Sequence, residues 1–442
     1  MRNAVLIVCL VSSCWAQTPS ELSLRDAQAQ PGLTLKDAQV ELFKNNLDIM
    51  AAEVDLQKAN DEMDVARSAW WPSLDASASY NYLTEKSSIH IENLPFPGNT
   101  IDRTIGANNK ADFGLDCTYP FFTGFSRYFA VRNRKAAVAE KQARLDAIKN
   151  RASLGLGLLY LQWELSYKQT DLRKSFCEQL DAWAKQIAAQ REAGIVLQSK
   201  LLDAQARLQL AKVDLIAAKD QSDSLRREVL SFILSKENEA VPDTAPFTIE
   251  TLPLPKSVDY TRPELVALDH AAAQIDELRK ALRFRHFPTL AGLAGVRYGR
   301  PGLNMGMDKY MGYGLFGLQL KWNLFDGFRM QAENHQLQRQ IDFIDIERTR
   351  QIETLQRTFD IARLQAGSAI NRLAATVEAA HAARALAEDL KNSLAAGTVT
   401  SAEYLNALVN VAQAELLVEQ AKTAKKIALL KMQYASGKTI KY

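Results

Sequence analysis

The side chains that could support catalysis are few and scattered. The five histidines, His90, His270, His286, His335 and His381, stand far apart. No Cys/His group has the spacing of a metal site, so no metal is expected. No serine–histidine–acid set stands out either. Gly155-Leu156-Gly157 lies inside a helical pattern and reads as close packing, not as a loop that cradles phosphate. No cofactor is expected, and the chain is not expected to be an enzyme. Cys117 and Cys177 fall in different predicted elements, so no disulfide is expected. The formal net charge of +3 gives no sign of a nucleic-acid partner.

The residues that do repeat belong to turns. Ala193-Gly194 returns as Ala396-Gly397, 203 positions on, and Phe122-Thr123-Gly124-Phe125 returns as Phe325-Asp326-Gly327-Phe328 at the same offset. Trp71-Pro72-Ser73-Leu74 returns as Phe287-Pro288-Thr289-Leu290 at an offset of 216. The difference, 216 − 203 = 13, falls between the proline and the Phe-x-Gly element, so the first half carries the longer loop there. Internal similarity over about 200 residues makes one protein of two similar halves.

Those turns need elements to hold them. Each half reads helix, strand, loop, strand, very long helix, turn, helix. The first repeat spans 17–241, with a helix over about Leu35 to Trp70, a β-hairpin at 73–120, a long helix at 126–192 and a helix at 199–234. A proline-rich linker occupies 242–262. The second repeat, 263–442, has a helix over about Pro263 to Arg285, a β-hairpin at 289–322, a long helix at 329–396 and a helix at 401–434. Neither long helix contains proline, and at about 1.5 Å per residue each reaches about 100 Å. Apolar residues recur at spacings of three and four, as at Leu355, Phe359, Ala362 and Ala366, the stripe of a helix packed in a coiled coil. Gly194 and Gly397 supply the left-handed stop, and Thr400 is placed to cap the last helix. The helix after each turn, joined to the next short helix or to the N-terminal one, has about the length of a long helix. The sequence order suggests that 199–234 stacks on 263–285, and 401–434 on the N-terminal helix.

Between helices the period changes from 3.6 to 2. Leu74, Ala76, Ala78, Tyr80 and Tyr82 alternate with Ser73, Asp75, Ser77, Ser79 and Asn81. Ala111, Phe113, Leu115, Cys117 and Tyr119 form a second apolar face, with Phe316, Leu318, Leu320 and Trp322 on the last strand. Strands of about ten residues, apolar on one face and ending in aromatics, suit a membrane barrel. A half-buried soluble sheet gives the same alternation, but the chain has little other sheet to pack against. Four strands cannot close in lipid, where each unsatisfied backbone group costs several kcal/mol. The barrel must then be shared between copies, and periodicity alone does not choose among two, three or four. The loops at about Thr84 to Asn109 and Gly299 to Lys309 carry turn residues and are expected at one end of the barrel.

The first sixteen residues fit a secretory signal, with Arg2 ahead of an apolar run from Ala4 to Val11 and then small residues. Cleavage after Ala16 would leave Gln17 first. In a second reading, Val11-Ser12-Ser13-Cys14 is a lipoprotein signal and Cys14 carries lipid. No later stretch is long and apolar enough for a transmembrane helix.

The chain as a whole resembles the TolC-type outer-membrane efflux protein family. The residues that carry the resemblance are Leu33-Thr34-Leu35 with Asn45-Asn46, Ala52, Ala59 and Pro72; Arg262-Pro263-Glu264-Leu265; Asn323-Leu324-Phe325-Asp326-Gly327; and Ala396 to Thr400 with Glu403-Tyr404-Leu405. Their order and spacing cover nearly the whole mature chain. The resemblance implies an α+β membrane protein: a long antiparallel α-helical barrel, with four strands per chain joining a shared trimeric, 12-stranded outer-membrane β-barrel. It implies a passive exit duct of a tripartite efflux or type I secretion system, reaching into the periplasm. Its partners would be two further copies, a periplasmic adaptor (membrane fusion) protein, an inner-membrane transporter of RND or ABC type and outer-membrane lipid. The resemblance places Gly194, Ile195, Val196, Leu197, Gly397, Thr398, Val399 and Thr400 at the adaptor-docking tip. It places an acidic ring after the second turn, where Glu403 matches and Asn406 departs from the pattern. Lys200 is the first-half counterpart of Glu403, so Lys200, Glu403 and Asn406 are the candidate gate residues. A structural coiled-coil protein of the envelope would explain the long helices but not strands at matched places in both halves.

Overall fold

The N-terminal helix is interrupted by one asparagine. In the computed structural model, Leu35–Asn45 (α1) and Leu47–Ser68 (α2) meet at Asn46. Its backbone is extended, and its side chain accepts from the backbone N–H groups of Asp48 and Ile49. An asparagine that caps a new helix competes with continuing the old one, so the single helix expected over Leu35 to Trp70 is two. The structure describes residues 33–92, 100–105, 107–235, 242, 255, 257–303, 309–440 and 442. The signal segment with Cys14, and most of the linker 242–262, lie outside these.

The remaining elements follow in order: β1 (Ser73–Tyr82), β2 (Ser87–Glu92), β3 (Thr100–Ile105), β4 (Asn109–Thr123), α3 (Ser126–Glu192), α4 (Gln198–Phe232), α5 (Pro263–Arg283), β5 (Thr289–Arg300), β6 (Met311–Lys321), α6 (Arg329–Ala395) and α7 (Ser401–Ser436). The long helices α3 and α6 have 67 residues each, about 100 Å at helical rise. The first strand loop carries turn residues by sequence. Yet β2 and β3 pair antiparallel within it, Ser87 opposite Ile105 and Glu92 opposite Thr100, and Pro95, Pro97, Gly98 and Gly106 of that loop lie outside the described residues. The longer loop of the first half therefore carries a second hairpin beyond the main sheet.

The main sheet is antiparallel in the order β1-β4-β5-β6. The helices repeat that order. Helix α2 packs on the strand end of α3 through Glu62–Arg134 and Glu53–Lys149, while α4 packs on its other end through Asp214–Arg173. Helices α5 and α7 share the groove between α3 and α6. Asn133 donates to the Gln274 carbonyl at 2.7 Å near the strands, and Lys426 meets Glu164 at 3.1 Å farther down. The four rods are thus α2 above α4, then α3, then α5 above α7, then α6. This differs from the stacking suggested by sequence order. Helix α4 ends beside α1, where Asn45 reaches the Ile233 carbonyl, not beneath α5. The end of α7 meets the start of α5, where buried Arg262 donates to the carbonyls of Tyr434 and Ala435 at 3.0 and 3.1 Å.

The cores sit where rods meet. At the waist, Leu42, Ile49, Leu156, Trp163, Val229 and Ile233 form one cluster, and Leu161, Phe359, Ala362, Ala366 and Leu430 another. Gln39 ties the first together: its amide donates to Ser153 and to the Ile440 carbonyl and accepts from the Tyr442 N–H. Glu164 is buried between Lys168 and Lys426, the paired state that a buried carboxylate needs. Among the described residues, no helix is long and apolar enough to cross a membrane.

Candidate functional site

Two turns form the end of the helical body farthest from the sheet. Both are built on the same stop. Gly194 and Gly397 have φ +73°, the conformation that glycine adopts without a Cβ clash. In the first, the N–H groups of Gly194 and Ile195 donate to the carbonyls of Arg191 and Gln190 at 3.0 and 2.9 Å. In the second, those of Gly397 and Thr398 donate to Leu394 and Ser393, both at 3.0 Å. This double closure satisfies the last carbonyls of each long helix.

Beyond the glycines the side chains differ. Ile195 and Leu197 stand 73% and 74% exposed, while Val196 leans on the tip core of Leu180, Trp183, Ile187, Ala204 and Leu208. Leu197 is the cap position of α4 and offers no side-chain bond. Its counterpart Thr400 accepts from the Glu403 N–H, and Glu403 Oε2 accepts from the Thr400 N–H at 2.7 Å and from its hydroxyl at 2.9 Å. That reciprocal capping box holds the Glu403 carboxyl below its ordinary pKa, chiefly through the backbone N–H of Thr400. Within one copy the carboxylate is therefore engaged with its own helix start, and no ion pair joins it to Lys200.

Asn406 has a partner that sequence reasoning missed. Arg207 on α4 pairs with Asp203 one turn back at 3.1 Å and reaches Asn406 Oδ1 on α7 at 3.5 Å. The duplication points to Asp203, the position equivalent to Asn406 at the offset of 203, but not to Arg207, whose own counterpart is Asn410. Leu405, also on α7, is 1% exposed within the tip core. The tip thus brings α3, α4 and the start of α7 together and leaves two short apolar and polar turns projecting.

The sheet carries the other distinctive surface. Its apolar face runs unbroken through Tyr80, Ala111 and Phe113 to Tyr298, Val296 and Phe316 by register. On the opposite face Arg297 donates to Asp112 and Asp116, both at 2.8 Å. A Cβ on Gly114 would stand 3.3 Å from the Arg297 guanidinium carbon, and one on Gly295 would stand 2.7 Å from Asp116 Oδ1. Glycine at these rungs lets the charged network lie flat on the wall. Among the described residues no group of histidine, cysteine and acidic side chains could hold a metal, and Cys117 and Cys177 are free.

Compared with curated proteins, the chain has no sequence match. Its fold is that of several solved channels at low identity. CusC shares 14% identity and a TM-score of 0.72, covering 91% of this chain and 92% of its own. The Campylobacter jejuni CmeC outer membrane channel shares 15% and a TM-score of 0.69, covering 97% and 95%. The Neisseria gonorrhoeae MtrE outer membrane channel, in its open state, shares 15% and a TM-score of 0.71, covering 92% and 89%. The family model described as outer membrane efflux protein matches residues 39–229 and 254–438. Two long-helix halves, a four-strand sheet apolar on one face and a match over most of the length agree, and the chain belongs to the outer membrane efflux protein family.

Proposed function

We propose that this outer-membrane efflux channel works as a ring of three copies, a passive exit duct whose helical tip meets a periplasmic adaptor. The observation that carries this reading is that sheet and helices are open at the same two edges. Among the described residues, strands β1 and β6 each have a neighbour on one side only, and the rods beside them, α2 over α4 and α6, are the outer rods of the layer. Those rods leave apolar residues uncovered: Val54, Val65, Leu210 and Val213 on the first, Phe343, Ile346 and Leu364 on the last. A strand edge left open in lipid costs several kcal/mol per unsatisfied group. Cyclic closure removes both edges at once. Three copies make twelve strands, above the roughly eight at which barrels begin.

In this reading Gly194 to Leu197 and Gly397 to Thr400 dock the adaptor, and Lys200, Glu403 and Asn406 line the closing end of the tube. The inner-membrane transporter, of RND or ABC type, supplies the energy and chooses the cargo. The duct itself contributes no reaction. Native mass spectrometry of the protein extracted from outer membranes in detergent tests the ring, with three chain masses expected. A folded monomer that stays soluble without detergent would end this reading.

A further inference from the structure

We infer that the ring closes in one defined register, with β6 of each copy against β1 of the next at rungs that the chain's own duplication fixes. This rests on the ring reading above and says what that reading leaves open: which residues meet at the seam.

The two halves are related by two offsets, 216 for β1 onto β5 and 203 for β4 onto β6. The structure allows an independent check of both. In the first half Ser73 faces Thr118, Leu74 faces Cys117 and Tyr82 faces Asn109. Shifting each partner by its offset gives Thr289 with Lys321, Leu290 with Leu320 and Tyr298 with Gly312, and these are the pairs found between β5 and β6. The duplication therefore preserves register to the residue.

The same operation carries the joint between the halves onto the seam between copies. Within the chain, β4 meets β5 with Asp116 opposite Gly295, Cys117 opposite Ala294 and Thr118 opposite Leu293. Adding 203 to the first partner and subtracting 216 from the second gives Gln319 opposite Ser79, Leu320 opposite Ala78 and Lys321 opposite Ser77 of the next copy. Higher on the seam, Leu318 meets Tyr80 and Phe316 meets Tyr82. Faces agree at every rung: Phe316, Leu318 and Leu320 continue the apolar side, while Gln319 and Lys321 meet serines on the polar side. A slip of one residue would turn every apolar side chain of one strand against the polar side of the other.

The strand-to-helix corner gives a second, separate indication. At the first corner a Cβ on Gly124 would stand 3.1 Å from the Phe284 carbonyl and 3.5 Å from Phe287 Cβ. The Phe125 ring packs on Phe284 and Phe287, with centroids 5.2 and 6.1 Å apart. At the second corner Gly327 has nothing within 4 Å of the same point, and Phe328 is 66% exposed. Both backbones are alike, left-handed at glycine and phenylalanine, so the second corner is built for a neighbour that one chain does not supply. The position equivalent to Phe287 is Trp71, which is 75% exposed. The seam thus seats Trp71 of the next copy against Gly327 and Phe328.

Cysteine pairs read the register directly. Side chains directly opposite in antiparallel strands lie about 4.5–5.5 Å apart at Cβ, and diagonal ones about 7–8 Å. A disulfide needs about 3.5–4.5 Å. In a full-length background with Cys117→Ser and Cys177→Ser, Gln319→Cys is combined in turn with Ser77→Cys, Ser79→Cys and Asn81→Cys. Leu320→Cys with Ala78→Cys probes the adjacent rung, because wide and narrow rungs alternate. After oxidation in outer membranes, at least one of the pairs 319 with 79 and 320 with 78 should lose its monomer band to a reducible ladder that stops at three chains. Single-cysteine variants should show no ladder. Linking of 319 to 77 or 81 in place of 79 overturns the register. A trimer by native mass that links at none of these pairs overturns the seam while the ring stands. Absence of any oligomer in every variant and in the parent overturns the ring reading itself, and the register with it.

Discussion

The two tip turns share a backbone and differ in chemistry. Both long helices end in the same double closure on a glycine at φ +73°. Turn one then presents exposed Ile195 and Leu197 and starts α4 without a side-chain cap. Turn two presents threonines and starts α7 with a full capping box. The geometry of stopping a helix is the same in both halves, while the side chains beyond it differ. An apolar knob and a self-bonded polar loop side by side give each copy two unlike contacts, so a ring of three would offer a docking partner six positions of two kinds.

The shared half of the comparison is open to the largest perturbation. Valine at Gly194 or Gly397 must adopt a left-handed conformation, which costs roughly 1–2 kcal/mol for an L residue. No neighbour lies within 4 Å of either added Cβ, so strain alone acts, and Gly194→Val and Gly397→Val should open their turns about equally. Hydrogen exchange at the ends of α3 and α6 measures this. A much larger effect at one turn would mean that it, and not the other, is packed against something in the assembled protein.

The unlike half predicts an unequal response. Thr400→Ala removes a helix cap, for which about 1 kcal/mol is typical, and should speed exchange over the first turn of α7. Leu197→Ala at the matching position removes no cap and should leave the first turn of α4 near its starting rate. Leu197→Ser should slow exchange there, because it adds the missing acceptor. Equal responses to the two alanine changes would erase the distinction.

A smaller difference is expected with pH. Hydrogen bonds from Thr400 lower the Glu403 pKa in the folded state, so the unfolded turn holds the proton more tightly. The stabilisation is present above the unfolded value, about 4.3 for a glutamate, and is lost as pH falls through the lower folded value. Acid should therefore fray the start of α7 ahead of the start of α4, whose first turn has no acidic residue. Exchange or site-directed fluorescence between pH 5 and pH 3 follows it, and simultaneous fraying would argue against the capping carboxylate as the cause.

Much of this fold is legible in the sequence for a physical reason: each long helix is uninterrupted by proline and stopped by glycine, and the strands alternate, cleanly in the first half and less so in the second. The boundaries expected for α3 match those found, and the offsets of 203 and 216 carry the register of the sheet. What escaped has a common cause in tertiary choice. A chain cannot announce which short helix lies above which: sequence order suggests α4 beneath α5, whereas α2 lies above α4 and α7 lies beneath α5. Asn46 is a tolerable helix residue by pattern, and only its cap bonds to Asp48 and Ile49 show that it divides the helix. The loop of Thr84 to Asn109, with Pro95 and Pro97, reads as turns, yet its flanks pair as β2 and β3. At the tip, Asn406 was legible as a departure from an acidic pattern, but Arg207 was not, because its reach to α7 at 3.5 Å depends on how α4 packs.

The smallest expected effect decides whether the polar turn is more than a cap. Glu403 is exposed and bonded to its own helix start, and exposed ion pairs contribute about 0–1 kcal/mol each. Three carboxylates brought together by a ring could bias a closed tip by no more than a few such contributions. Glu403→Gln keeps a side chain able to complete a capping box and removes the charge; Glu403→Lys reverses it. If the charge helps to hold the tube shut, both should raise single-channel conductance in planar bilayers, the reversal more than the neutral change. The gain should shrink as salt rises, since the Debye length falls from about 10 Å at 0.1 M to about 3 Å at 1 M. Conductance that rises only when the cap is broken, with Thr400→Ala but not with Glu403→Gln, assigns the effect to fraying of α7. Conductance unchanged in all three variants leaves Glu403 as a helix cap and removes it from the gate.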